Sequence, residues 1–143
     1  MSAWDKFYLD AAKTLSIERP DPVGGKCVGA VIVKNGKIIG IGTRYTIKPY
    51  GSMIDRTIHA EHMAIDCAGA DAAGATLYCT MEPCARRIFN PKWYIDDCCV
   101  TQIIKSGIVR VVFLEHDDGE GCGGAKALSD AGVEAVFYVH RED

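Results

Sequence analysis

The chain has 143 residues, 48% of them hydrophobic and 24% charged, with a formal net charge of -3. That length fits one domain with a sizeable core, here read as a single domain over 1–143, and the balance is that of an ordinary globular protein. The slight acidity argues against an electropositive nucleic-acid surface, and no apolar run approaches the roughly 20 residues of a membrane span. The opening residues MSAWDKFYLD lack the apolar stretch of a secretory signal, which predicts a cytoplasmic protein. Seven cysteines, an odd number, read as thiols and metal ligands rather than as a disulfide framework.

In chain order, AWDKFYLDAAKTL (3–15) spaces Trp4, Phe7, Tyr8, Ala11, Ala12 and Leu15 as an amphipathic helix. Pro20 and Pro22 end it and open a glycine-rich loop. CVGAVIV (27–33) and KIIGIGT (37–43) flank Lys34-Asn35-Gly36, the strongest short signal for a β-hairpin. A loop from about Tyr45 to Arg56 holds Pro49 and Gly51. HAEHMAIDCAGA (59–70) predicts a second helix and Ala75–Thr80 a strand. The stretch from Cys84 to Asp97 is irregular and contains Pro91. Cys99–Ser106 predicts a helix closed by Gly107. VRVVFL (109–114), GAKALSDAG (124–132) and VEAVFYV (133–139) follow as strand, helix and strand. Strands alternating with helices after a hairpin imply parallel crossovers. The expected fold is α/β: a three-layer α/β/α sandwich on a mixed, mostly parallel five-stranded sheet.

The chemistry lies in His59-Ala60-Glu61, Glu82-Pro83-Cys84 and Cys98-Cys99. One imidazole and two thiolates suit Zn2+, and three protein ligands leave the fourth tetrahedral position open for water, as a catalytic site requires. Zinc lowers the pKa of water toward about 7, and a glutamate two residues from the histidine is placed to carry its proton. The order H-x-E then P-C is that of zinc deaminases, but fourteen residues separate Cys84 from Cys99 where two are usual.

His59-Ala60-Glu61, Thr80–Cys84 and the run from Cys99 through Gly107-Ile108 resemble the cytidine deaminase superfamily, over nearly the whole chain. Trp4-Asp5, Asp21-Pro22 and the loop before His59 are similar to its deoxycytidylate deaminase branch. The wide cysteine gap ending in Cys-Cys is similar to the deaminase domain of riboflavin biosynthesis, although no reductase domain is expected in this chain. The resemblance implies His59, Cys84 and Cys99 as zinc ligands, with Cys99 rather than Cys98 found by counting back from Gly107. It implies Glu61 as the catalytic proton shuttle and a homo-oligomer as the assembly. The strand end Gly42-Thr43-Arg44-Tyr45 departs from the asparagine that contacts sugar in many nucleoside and nucleotide deaminases.

Candidate substrate contacts are Ala60, Arg44, Arg86 and Trp93. The last two belong to an inserted stretch, Arg86–Tyr94, with three positive charges and three aromatics, fit either for a lid over a base and phosphate or for packing on another subunit. Lys26 is a further phosphate candidate, and His62, one turn beyond His59, a lesser candidate contact. The expected function is hydrolytic deamination of a cytosine-type nucleoside or nucleotide, deoxycytidylate included, a small amino-heterocycle in each case. The alternatives are another aminopyrimidine or aminopurine, such as a riboflavin-pathway intermediate; nucleic-acid editing, disfavoured by composition; and a non-catalytic module in which Cys98 closes the zinc site. Cys79, alternating with Leu77, reads as core; Cys27, Cys67 and Cys122 read as small buried or loop thiols; His116 and His140 read as surface residues.

Overall fold

The computed structural model describes residues 3–22, 24, 27–47, 56–85, 98–117 and 122–139. Helix α1 spans Ala3–Glu18, three residues beyond the expected end. Its last turn is held by Arg19 N–H donating to Leu15 O at 2.9 Å. Strands β1 (Gly29–Lys34) and β2 (Lys37–Thr43) form the hairpin. Asn35 and Gly36 take φ of 53° and 74°, the two left-handed positions of the tight hairpin turn that an Asn-Gly pair favours. After α2 (Ala60–Ala68) and a short 3₁₀ turn come β5 (Thr76–Met81), α3 (Cys99–Ser106), β6 (Arg110–Glu115), α4 (Gly124–Asp130) and β7 (Glu134–Phe137).

The five-stranded sheet has the order β2-β1-β5-β6-β7. β1 is antiparallel to both neighbours, while β5, β6 and β7 are parallel. Four strands therefore run one way and β1 alone opposes them, which is the mixed, mostly parallel sheet expected. Ala30, Ile32, Leu77, Cys79, Val111 and Phe113 point to the side covered by α2, α3 and α4. The alternate residues Val31, Val33, Tyr78 and Val112 pack under Tyr8, Leu9 and Ala12 of α1. The three layers follow directly from that period-two alternation.

The expected loop from Tyr45 to Arg56 is corrected at both ends. Tyr45–Ile47 (β3) and Arg56–Ile58 (β4) pair antiparallel, with Thr46 opposite Thr57. Strands this short need outside support, and buried Asp21 supplies it. Its carboxylate accepts from Thr46 N–H at 3.2 Å and Thr46 Oγ1 at 2.7 Å, and Thr46 Oγ1 lies 3.1 Å from Thr57 Oγ1.

Two close contacts position the rest. α2 lies directly on β2: a Cβ on Gly42 would collide with Ala60 O and stand 2.7 Å from Ala64 N. On the opposite face Asp5, 2% exposed, accepts from Arg110 Nη1 and Nη2, each at 2.8 Å, and from Tyr78 Oη at 2.7 Å. This bidentate pair joins α1 to β5 and β6. Cys79 is core as expected, whereas Cys67 is neither buried nor in a loop but exposed on α2. Among the described residues no helix is long and apolar enough to cross a membrane.

Asp5→Ala strands a half-buried guanidinium and a buried phenol. It is expected to lower unfolding stability by about 2–4 kcal/mol, below the full penalty for a buried pair because Arg110 keeps some solvent. Urea unfolding followed by circular dichroism measures this, and an unchanged midpoint would contradict the role given to Asp5.

Candidate zinc site and substrate cavity

The reactive side chains are presented by element starts at one end of the sheet. His59 is the N-cap of α2, in extended conformation (φ -76°, ψ 150°), and no capping bond ties up its side chain. Its imidazole is turned to the site instead, with Nδ1 3.2 Å from Cys99 Sγ. Glu61 follows in the first helical turn and is 3% exposed. Cys99 is the first residue of α3, so both helices contribute from their N-termini. There, α/β folds gather their sites and the helix dipole favours thiolate. The Cys99 thiol donates to Glu61 Oε2 at 3.5 Å. One ligand atom each from His59, Glu61 and Cys99 lies within 4.8 Å of the others.

Cys84 borders the same cavity, but its sulfur lies outside that mutual cluster. Its carbonyl accepts from Val100 N–H at 3.2 Å, which ties its turn to the start of α3. Cys98, the N-cap of α3, sits in the core with Sγ 3.3 Å from Thr101 Oγ1. The two adjacent cysteines thus face different surroundings, and Cys99 is the one that meets His59. The His62 ring lies 6.1 Å from that of His59.

The electrostatics suit a dication. Burial pushes the Glu61 carboxyl up to about 7. Burial, with Glu61 and Cys84 nearby, pushes the Cys99 thiol well above its usual value. Two buried acidic groups packed against an imidazole are costly as anions on their own, and a divalent cation relieves that cost. The imidazole–thiol–carboxyl set is the donor chemistry of zinc.

A cavity of about 320 Å³ opens over the site, lined by Val28, Arg44, Thr57, His59, Ala60, Glu61, Met81, Glu82, Cys84 and Asp117. Its size suits a small ligand. Ala60 is fully buried and forms part of the wall. Arg44 also lines it, and its Nη1 lies 3.1 Å from Asp21 Oδ2 and 3.5 Å from Gly24 O. Arg86, Trp93, the remainder of the insertion, Lys26 and His140 lie outside the described residues. Thr57, Glu82 and Asp117 are the polar wall residues to which the sequence assigns no role. Glu82 was visible as the neighbour of Pro83-Cys84, and Asp117 as a carboxylate just beyond the carboxyl end of β6, where such folds place ligands. His116 is half exposed, but it is not a bare surface residue: its ring lies 4.3 Å from that of Phe137.

Fold and donor set together are those of the zinc-dependent deaminase class. The family model for the cytidine and deoxycytidylate deaminase zinc-binding region matches residues 2–115, and the chain belongs to that family. It is 38% identical to the riboflavin biosynthesis protein RibD of Aquifex aeolicus over 147 residues, 97% of this chain and 36% of that one. It is 36% identical to the diaminohydroxyphosphoribosylamino-pyrimidine deaminase of Buchnera aphidicola, over 87% of this chain and 76% of that one. The solved dCMP deaminase of cyanophage S-TIM5 superposes with a TM-score of 0.68 at 25% identity, covering 96% of this chain and 100% of that one. The chain spans about a third of the length of the RibD proteins it matches.

Metal analysis of the purified protein is expected to give about one zinc per chain. Cys99→Ser should lose most of it and Cys98→Ser should retain it, because Cys98 faces Thr101. Equal loss in both variants would contradict the separation of the two thiols.

Proposed function

We propose that the chain is a deaminase domain acting on a phosphoribosylated diaminopyrimidine of riboflavin biosynthesis. The observation that carries this reading is the match to a deaminase of that name over most of that protein's length. The wide spacing of Cys84 and Cys99 supports it, as does the absence of an asparagine at the end of β2. The alternative named from the sequence is thereby preferred to the cytosine-type main expectation. A second reading, deoxycytidylate deamination, is favoured by the full-length likeness to the phage dCMP deaminase.

In the proposed reaction His59, Cys84 and Cys99 would hold zinc, whose Lewis acidity would make water nucleophilic at neutral pH. The water oxygen bonds to the ring carbon that carries the exocyclic amine. Glu61 accepts the first proton of that water and gives it to the ring nitrogen, then takes the second from the newly attached hydroxyl and gives it to the amine. The C–N bond breaks and ammonia leaves. Burial of Glu61 keeps bulk water from competing for the proton. Ala60 leaves space for a flat ring against the α2 start. Arg44, braced by Asp21, binds an anionic or carbonyl group of the substrate at the cavity wall. The chain acts as one deaminase domain and assembles as a homo-oligomer, for which exposed Trp4 and Phe7 on α1 and Ile38 and Ile41 on edge strand β2 offer apolar surface.

Ammonia release from a panel of amino-heterocycles, with and without phosphate on the sugar, decides between the readings. Highest kcat/KM is expected on the phosphoribosylated diaminopyrimidine; preference for dCMP selects the second reading, and no turnover of any member defeats both. Glu61→Gln is expected to retain zinc while kcat falls at least about 10³-fold, within the range of general acid–base catalysis. Arg44→Ala is expected to raise KM roughly tenfold with a smaller change in kcat, the worth of one charge-assisted contact.

A further inference from the structure

Glu82 is 5% exposed, lines the cavity and has no part in the proton transfers assigned to Glu61. Its carboxylate faces three donors from outside its own strand. Oε1 accepts from Asp117 N–H at 3.0 Å and lies 3.4 Å from His116 Nδ1; Oε2 accepts from Ala125 N–H at 2.8 Å. The first two donors belong to the segment leaving β6, the third to the first turn of α4. The Glu82 backbone continues the β5–β6 pairing, with its N–H donating to Glu115 O at 2.7 Å. The next residue is fixed from the same side: a Cβ on Gly124 would collide with Pro83 O, so α4 lies directly on the peptide that leads to Cys84. A turn held at its side chain by two segments and at its backbone by a third contact has little freedom.

We propose that Glu82 is a positioning residue that fixes the Cys84 turn and the Asp117 wall of the cavity in one relation, so that the zinc ligand and the substrate wall are set together. The role rests on the assignment of Cys84 as a ligand. It needs a carboxylate and not an amide. Both oxygens accept from backbone N–H groups, and an amide would turn an NH2 toward one of them, leaving a buried donor facing a donor.

Three measurements on Glu82→Gln test this. Cobalt(II) alone, added to the zinc-free protein, reports the ligand field through its visible thiolate-dependent bands. Release of zinc to a chromogenic chelator reports how firmly the site is held. Amide exchange reports the Asp117 and Ala125 N–H groups directly. Glu82→Gln is expected to shift or weaken the cobalt bands and to speed zinc release about tenfold. Exchange should accelerate at Asp117 and Ala125 but not at core amides such as Val112. His116→Ala, at a half-exposed position, removes one donor and keeps the fold accessible should Glu82→Gln fold poorly. It is expected to move zinc release the same way by two- to threefold. Cobalt bands and zinc release unchanged in both variants overturn the proposal, as does acceleration spread evenly over the core, the mark of a merely structural residue. Failure of the unmutated protein to release ammonia from the substrate panel defeats the deaminase reading instead and leaves these three measurements valid for Glu82.

Discussion

The backbone of α2 rests on the backbone of β2, with no side chain between them at Gly42. The helix axis is therefore fixed to the sheet at the turn that carries His59, Ala60 and Glu61. A side chain at Gly42 would lift this end of the helix, where a displacement of an ångström separates His59 Nδ1 from Cys99 Sγ. The rest of the site is arranged around that fixed end. α3 brings Cys99 to it from the next crossover, and the chain leaving β5 passes beside it at Glu82 and Cys84. Close helix–sheet packing here is a condition for the chemistry as well as for stability.

The site concentrates buried acidity. Glu61, Cys99 and Glu82 are withdrawn from water within one wall, and each is treated differently. Glu82 accepts from the backbone N–H groups of Asp117 and Ala125. Glu61 and Cys99 are paired with each other and with His59 and are held toward their neutral forms by burial.

Much of this was legible in the sequence because it is local. The Asn35-Gly36 turn and the helix from Cys99 to Gly107 depend on residues close together in the chain, and each stands where it was expected; His59, Glu61 and Cys99 were legible as donor types in a recognisable order, although His59 meets Cys99 across 40 residues. What was missed depends on partners far away. The short strands β3 and β4 carry no period of their own and exist because Asp21, 25 residues before Thr46, holds them. Glu82 meets Asp117 and Ala125 across 35 and 43 residues, and Asp5 meets Arg110 across 105. No periodicity or capping rule reaches such distances. A buried carboxylate announces its partner only when the fold brings the two together.

The sheet is also a partition. The cluster beneath α1, from Tyr8 and Leu9 to Tyr78 and Val112, contributes nothing to the cavity lining, which is drawn entirely from the other face and the strand ends. The outward side of α1 is thus an address that chemistry does not use. A fluorophore or tether attached at an exposed position such as Lys13 rides on the same rigid body as the site without entering it. The molecule can be labelled at such a position, clear of Trp4 and Phe7, while its reactive end stays open.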